Sequence, residues 1–251
     1  MRLLRRFYRL SLLGLHIVWG AMLIIFALGS DPTKHQERDW RVITTWMKRA
    51  CKIFGLRVSI KGTPIAAPVF FTSNHISWHD IVVLQSIVGT GFVGKYEIRN
   101  WPLLGWLAHH GGTLFIRRGQ RDSTQQINQA MRTRFENQQN ILVFPEGTTG
   151  DGESLLTFRT RLFESAIDLG IPIQPIAIYY RSRNLSCKEL AFVDQETLLG
   201  HGLRTLAEPV IDVMVHFGEP IPTAADKHRR ELGQLAEQRV AESLQTMRAS
   251  V

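Results

Sequence analysis

The sequence predicts an α/β domain with a layered, largely parallel sheet and flanking helices, preceded by an N-terminal membrane-associated helical segment. After Arg57, short apolar runs alternate with stretches of helical periodicity, which is the order of elements in a parallel α/β sheet. Before that residue lies a long apolar stretch without any charged side chain. The chain of 251 residues has no internal repeat and no low-complexity linker. We therefore predict N-terminal membrane-associated helices at residues 1–56 and a single α/β domain at residues 57–251.

The apolar stretch from Leu10 to Leu28 has 19 residues, close to the roughly 20 that span a bilayer. A cleaved signal peptide and a buried core helix are the alternatives. The run is longer than a usual signal-peptide core, and a core helix would leave the preceding basic residues without a role. We expect attachment to the inner (cytoplasmic) membrane with the domain facing the cytoplasm, because four arginines precede the stretch: Arg2, Arg5, Arg6 and Arg9.

A second helix is predicted from Trp40 to Leu56, where large apolar side chains recur at helical spacing and basic residues occupy the other faces. Such a helix can lie in the membrane interface. It can equally be an ordinary amphipathic helix that packs on its own domain. The pattern alone leaves both readings open.

The distribution of charge separates two classes of partner. Residues 1–61 hold 12 Lys and Arg against 3 Asp and Glu, whereas residues 62–251 hold 18 against 19. A nucleic-acid-binding protein usually carries its basic residues on the folded domain, so we predict no nucleic-acid partner. The excess beside an apolar segment favours an anionic membrane surface and membrane lipids as partners.

The cysteines and histidines give no sign of a metal site. Cys51 and Cys187 are far apart and show no CxxC spacing, and the nine histidines contain no HExxH pair. We predict neither a disulfide framework nor a bound metal. We expect the protein to reside in a reducing compartment.

Seven strands and four longer helical patterns are expected in the domain. Polar turns follow several of the strands, and in open α/β sheets ligands bind beyond the carboxyl ends of the strands. We therefore expect these turns to form the active site. The strands are expected at 57–61, 68–73, 91–94, 113–116, 141–144, 173–179 and 210–217, and the helical patterns near 81–86, 123–138, 161–169 and 223–248.

His75 and Asp80 are the candidate catalytic pair. Five residues along a helix correspond to about 500°, so two helical residues at this spacing point about 140° apart. They can meet only if His75 precedes the helix and Asp80 lies in its first turns. A carboxylate on one imidazole nitrogen would orient the ring, and the other nitrogen would take a proton from a substrate hydroxyl. His79 is a second candidate for the base, but we assign it to packing or solvent contact. The sequence contains no G-x-S-x-G elbow, which argues against a serine hydrolase of the α/β-hydrolase kind.

Four blocks resemble the glycerolipid acyltransferase family that includes the 1-acylglycerol-3-phosphate acyltransferases, also described by its HxxxxD motif. They occur in the family's order and span residues 74–176. The family's N-terminal membrane helices correspond to residues 1–56. The blocks are Asn74-His75-x-x-x-x-Asp80, Gly112-Thr113-Leu114-Phe115-Ile116-Arg117-Arg118, Phe144-Pro145-Glu146-Gly147-Thr148 and Ile171-Pro172-Ile173-Gln174-Pro175-Ile176.

The resemblance implies a role for each block. His75 would be the general base and Asp80 its partner, and the acceptor hydroxyl would attack the thioester of acyl-CoA or acyl carrier protein. These carriers are co-substrates, and no cofactor is implied. The implied acceptor is a lysolipid, most simply 1-acyl-sn-glycerol-3-phosphate. The residues implied in substrate binding are Arg118 at the phosphate-binding arginine, with Arg117, Lys95, Glu146, Gly147, Thr148 and Arg159.

One departure from the family pattern concerns the acceptor. Thr149 stands where relatives acting on lysophosphatidic acid often have Arg, and an acidic stretch follows. The run from Glu146 to Gly152 looks more like that of lyso-ornithine lipid acyltransferases, whose acceptor is zwitterionic. Arg159 and Arg161 are candidates to restore the missing charge. A lyso-ornithine lipid is therefore the alternative acceptor.

Two other functions account for fewer of these features. A non-enzymatic membrane-surface scaffold would use only the basic N-terminus. A lipid hydrolase would use the same pair of residues with water as acceptor. Neither requires four ordered blocks.

Overall fold

The protein is described by a computed structural model that covers residues 2–117, 122–193, 196–223 and 228–250. Within these residues, a seven-stranded sheet is flanked by nine α-helices. The strands are β1 (Leu56–Lys61), β2 (Phe70–Ser73), β3 (Thr90–Lys95), β4 (Leu114–Ile116), β5 (Asn140–Val143), β6 (Ile173–Ser182) and β7 (Ile211–Phe217). The helices are α1 (Arg2–Phe26), α2 (Glu37–Phe54), α3 (His79–Ile87), α4 (Leu104–His110), α5 (Ser123–Glu136), α6 (Glu164–Asp168), α7 (Cys187–Leu190), α8 (Leu198–Leu206) and α9 (Arg229–Ala249).

The predicted fold class is confirmed, since each of the seven expected strands is present. The sheet order is β1-β7-β6-β2-β5-β3-β4. Strands β6, β2, β5, β3 and β4 are mutually parallel, β7 is antiparallel to β6, and β1 is parallel to β7. The carboxyl ends of β2, β5, β3 and β4 therefore lie at one edge of the sheet, where the sequence places its polar turns.

Strand β2 is the centre of the core. All four of its residues are buried, and Phe70 and Phe71 have no exposed surface. Because successive side chains of a strand point to opposite faces, these two residues belong to different apolar clusters. Phe71 lies with Leu84 of α3 on one face, and Phe70 lies with Phe163 on the other. A continuous apolar run with both faces covered is typical of a parallel-sheet strand.

The two predicted N-terminal helices are present and pack on each other. Trp46 of α2 donates its indole N–H to the carbonyl of His16 at 3.1 Å and stacks on the His16 ring. Gly20 of α1 gives the Trp46 ring its space, because a Cβ there would lie 2.3 Å from it. Helix α2 also packs on α3 of the sheet domain. The division of the chain at residue 56 stays a prediction.

Helix α1 is long and apolar enough to cross a membrane, judged by length and composition. Most of its apolar side chains are exposed in the isolated chain. Water is a poor environment for so continuous an apolar surface. The exposed apolar side chains of α1 are Leu3, Leu4, Phe7, Tyr8, Leu10, Leu15, Val18, Met22, Ile25 and Phe26.

Candidate active site

The turn that carries His75 is fixed to the neighbouring strand β6 by the side chain of Asn74. The buried Asn74 amide donates to the carbonyl of Ile178 at 2.9 Å and accepts from its N–H at 2.8 Å. The side chain therefore replaces the ladder hydrogen bonds that β2 no longer makes after Ser73. Buried polar groups are expected to find such partners.

His75 and Asp80 meet as their spacing requires. Asp80 lies in the first turn of α3, which begins at His79, and His75 lies in the turn before the helix. His75 Nδ1 and Asp80 Oδ2 are 2.7 Å apart. The same carboxylate oxygen accepts from the backbone N–H groups of Ile76 and Ser77 at 2.7 and 2.9 Å. These donors at the start of a helix hold the carboxylate in one position.

The position of the His75 ring leaves its second nitrogen available. Phe144 stacks on one side of the ring, with centroids 3.9 Å apart and planes 12° from parallel. The His75 side chain is 18% exposed, whereas Asp80 is completely buried. Within the described part of the chain, no hydrogen bond engages His75 Nε2. An imidazole oriented through Nδ1 and open at Nε2 has the geometry of a general base.

The second oxygen of the Asp80 carboxylate, Oδ1, lies in the part of the site that also contains Tyr180. Asp80 Oδ1 and the Tyr180 hydroxyl are both buried, and neither has a hydrogen-bond partner among the described residues. Burial, and then the nearby Asp80 carboxylate, raise the pKa of Tyr180 well above its ordinary value. Tyr180 therefore stays neutral beside the catalytic pair.

Glu146 joins the His75 turn to a second loop. Its Oε1 accepts from the backbone N–H of His75 at 2.6 Å, and its Oε2 accepts from the N–H of Leu156 at 3.1 Å. The carbonyl of His75 in turn accepts from Gly150 N–H at 2.7 Å. Burial raises the pKa of Glu146 to about 7 despite the two N–H donors. Glu146 thus contacts the backbone that positions His75.

The predicted cations lie at the ends of the two strands farthest from β6. Lys95 is the last residue of β3 and is exposed. It pairs in register with Ile116 of β4, so Arg117 follows directly beside it. The Arg117 guanidinium lies over the Tyr96 ring, 4.0 Å from its centroid. Arg118 lies outside the described residues.

A further cation lies against the Glu146-Gly147 turn. Gly147 has a φ of 74°, and a Cβ there would approach the Arg159 guanidinium to 3.1 Å. Arg159 is exposed, as is Thr148. Thr149 is turned into the protein, where its hydroxyl donates to the carbonyl of Phe192. Arg159 therefore places a positive charge beside the loop that contains the uncharged Thr149.

His79, the rival histidine, is 2% exposed and packs between other rings. It stacks on Trp78, with centroids 3.8 Å apart, and contacts Phe54 and His201. Burial, and then the neighbouring His201, hold its pKa well below the ordinary value. The predicted packing role fits this environment. Among the described residues, no group of three or more His, Cys, Asp and Glu side chains could hold a metal ion.

Sequence reasoning missed several residues that shape this site. Phe144 and Asn74 belong to the matched blocks. Their proximity to Glu146 and His75 in the sequence could have identified them as site residues. Tyr180 had no such signal. It follows the fourth block, and only the pairing of β6 with β2 brings it to Asp80.

Comparison with known proteins assigns the chain to a family. The family described as Acyltransferase matches residues 56–179. A lyso-ornithine lipid O-acyltransferase of Pseudomonas aeruginosa is 40% identical over 212 residues, which are 84% of this chain and 80% of the relative. A 1-acyl-sn-glycerol-3-phosphate acyltransferase of Neisseria gonorrhoeae is 38% identical over 112 residues, which are 45% and 44% of the two chains. The chain belongs to this acyltransferase family, as its four blocks predict.

A solved structure shares the fold. It is the 1-acyl-sn-glycerophosphate (LPA) acyltransferase PlsC from Thermotoga maritima, with a TM-score of 0.76 and 22% sequence identity. The match covers 99% of this chain and 98% of that structure. The shared architecture therefore includes the N-terminal helices as well as the sheet domain.

Proposed function

We propose that this acyltransferase esterifies the free hydroxyl of a lysolipid with a fatty acyl chain from an acyl thioester. The observation that carries the proposal is the orientation of His75. Its Nδ1 is held by a buried carboxylate, and its Nε2 is open. Membership of the acyltransferase family and relatives that act on lysolipids support the same reaction.

The reaction needs one proton to move twice. His75 Nε2 takes the proton of the acceptor hydroxyl as its oxygen forms a bond to the thioester carbonyl carbon. The resulting tetrahedral intermediate collapses by breaking the C–S bond, and the thiolate takes the proton back from the imidazolium. The products are an ester and a free thiol. Asp80 stabilises the imidazolium formed in between, and no covalent acyl-enzyme is required.

We place the acyl donor as a co-substrate, acyl-CoA or acyl carrier protein, and assign no cofactor to the reaction. The thioester supplies all the chemical driving force that the transfer needs. Lys95 and Arg117 are the described cations at the edge where the acceptor or donor would bind. We assign them to the basic part of the proposed substrate site.

We propose a lyso-ornithine lipid as the preferred acceptor and 1-acyl-sn-glycerol-3-phosphate as the second candidate, reversing their order from the sequence-based expectation. The lyso-ornithine relative matches almost twice as much of this chain as the Neisseria relative does. Thr149 is uncharged and adds no cation, and its hydroxyl bonds to the carbonyl of Phe192. A zwitterionic headgroup needs fewer cations than a phosphate monoester, which carries up to two negative charges.

Membrane attachment through α1 is part of the proposal. The helix has the length and composition to enter a bilayer, and lipid substrates reside there. We place the protein at the inner (cytoplasmic) membrane with its sheet domain on the cytoplasmic side, since the arginines precede the apolar stretch.

The test is an acceptor comparison with purified full-length protein in detergent micelles. Each donor, acyl-CoA and acyl carrier protein, is combined with each lysolipid, and the acylated product is measured by mass spectrometry. We expect a higher kcat/KM with lyso-ornithine lipid and a loss of at least about 100-fold with His75→Ala, which controls for contaminating enzymes. A higher value with 1-acyl-sn-glycerol-3-phosphate would overturn the acceptor assignment. Release of free fatty acid without an acylated lipid would overturn acyl transfer.

A further inference from the structure

A cavity of about 290 Å³ lies between the first turns of α1 and α8, and its lining includes neither His75 nor Asp80. Three guanidinium groups and one carboxylate line it, together with apolar side chains. None of these residues belongs to the four acyltransferase blocks. The lining residues are Arg2, Arg6, Leu185, Gly200, Leu203, Arg204, Ala207 and Glu208.

Two of the four arginines before the apolar stretch, Arg5 and Arg9, donate hydrogen bonds to backbone carbonyls of the domain. Arg5 donates to the carbonyl of Ala207 at 2.7 Å. Arg9 donates to the carbonyls of Phe54, Glu208 and Pro209, among others, at the ends of α2 and α8. Cations are stabilised at helix C-termini, where carbonyls lack intrahelical partners. Arg5 and Arg9 therefore fix α1 to the domain.

Arg2 and Arg6 lie one turn apart on the same helix, and both line the cavity. The Nε of Arg6 is buried and has no hydrogen-bond partner in the described part of the chain. A buried donor without a partner costs free energy. This pair is therefore suited to a ligand that accepts hydrogen bonds and carries negative charge.

The remaining charges of the cavity already have partners within the protein. Arg204 donates to the carboxylate of Glu196 and to the carbonyl of Glu189. Glu208 accepts from Ser182 and Asn184 at 2.8 and 2.9 Å. Arg2 and Arg6 thus leave the cavity with excess positive charge.

The surroundings of the cavity identify the source of the anion. Leu3, Leu4 and Phe7 on the same turns of α1 are 64%, 77% and 66% exposed, and Leu199 of α8 is 67% exposed. A soluble phosphate would leave these side chains in water, whereas a lipid covers them with acyl chains. Two guanidiniums beside an apolar surface match the phosphate and acyl chains of a phospholipid.

We propose that the cavity between α1 and α8 binds the phosphate headgroup of an anionic membrane phospholipid. This inference rests on the membrane attachment proposed above but is independent of the reaction. It distinguishes a specific lipid site, formed by Arg2 and Arg6, from general attraction between the basic N-terminus and an anionic surface.

The test is flotation of purified full-length protein with phosphatidylcholine vesicles, with and without phosphatidylglycerol. Two charge-matched double variants are compared: R2Q/R6Q in the cavity and R38Q/K48Q on the exposed face of α2. We expect R2Q/R6Q to lose about tenfold more of the phosphatidylglycerol-dependent affinity than R38Q/K48Q. Equal losses in these two variants would overturn the site, since general attraction predicts equality.

Two measurements keep the test decisive. Short-chain phosphatidylglycerol should raise the Tm of the wild-type protein in neutral detergent and leave that of R2Q/R6Q unchanged, with R6Q alone as substitute if the double variant misfolds. Inorganic phosphate that raises Tm as effectively would assign the site to a soluble anion and overturn the lipid assignment. Acyl transfer in micelles should persist in R2Q/R6Q, so failure of the lipid site and failure of the proposed reaction are distinguishable.

Discussion

The two sides of the proposed active site hold their polar residues in different ways. On one side, Asp80 and Glu146 are buried, and both accept hydrogen bonds from the backbone around His75. On the other, Lys95, Arg117 and Arg159 are exposed at the ends of strands and in loops. In the proposed mechanism, proton transfer therefore takes place within the folded core, whereas the acceptor is selected by exposed side chains that substitutions can change without refolding.

The largest expected effect is on the buried side. His75→Ala removes the proposed base, and kcat/KM for the lysolipid should fall by about 10²- to 10⁴-fold, while the protein stays folded because Asp80 keeps its two backbone donors. Initial rates in micelles and a thermal melt measure both. His110→Ala is the control for removing an imidazole outside the site. A His75→Ala enzyme with wild-type kcat/KM would contradict the comparison.

Glu146 should make stability depend on pH. Its pKa of about 7 lies above the ordinary 4.5, so the folded state holds this proton more tightly than the unfolded chain. The stabilisation is complete below pH 4.5 and is lost as pH rises through 7, by roughly 3 kcal/mol.

Urea unfolding of Glu146→Gln from pH 4 to 8 measures this contribution, using wild type as the reference. The variant should lack that part of the pH dependence, while Glu136→Gln, at an exposed position, should retain it. An unchanged pH dependence in Glu146→Gln would show that the carboxyl is not held protonated by burial.

Asn74 should contribute to stability rather than directly to the reaction. Asn74→Ala leaves the N–H and carbonyl of Ile178 without their side-chain partner, so the free energy of unfolding should fall by about 1–3 kcal/mol. Urea unfolding measures it, with the exposed Asn100→Ala as control. No loss of stability would mean that the turn before His75 is held by other contacts.

The smallest expected effect is on the exposed side. Thr149→Arg adds a cation to the loop that Arg159 contacts at Gly147, so the ratio of kcat/KM for 1-acyl-sn-glycerol-3-phosphate to that for lyso-ornithine lipid should rise about 1.5- to fivefold, as for an exposed ion pair. Thr149→Gln, which adds length without charge, is the control. A ratio that rises equally in both variants would attribute the change to shape.

The sequence predicted β2, β5 and β6 well because each contains a short apolar run that the sheet buries. It did not predict the orientation of β7 and β1, since that depends on pairing between residues about 155 positions apart, such as Arg57 and Asp212. The short helices α4, α7 and α8 have too few residues for a clear period. Helix α9 begins at Arg229, after the predicted start at Thr223, because the Thr223 hydroxyl bonds to Ile171 and His228 caps the helix.

The active site likewise combines features that the local sequence determines with features that depend on long-range packing. The spacing of His75 and Asp80 determined how they must meet, because a helix allows few geometries. Two other features depend on long-range packing that no local pattern encodes. They are the hydrogen bonds of Glu146 with two backbone N–H groups and the position of Tyr180 near the Asp80 carboxylate.

The most direct test of the central claim is a double-mutant cycle on kcat/KM with His75→Ala, Asp80→Asn and the combination. If Asp80 acts only through His75, the double variant should be no slower than His75→Ala alone. Losses that multiply would contradict the account, because they would mean that Asp80 contributes to the transition state independently of His75.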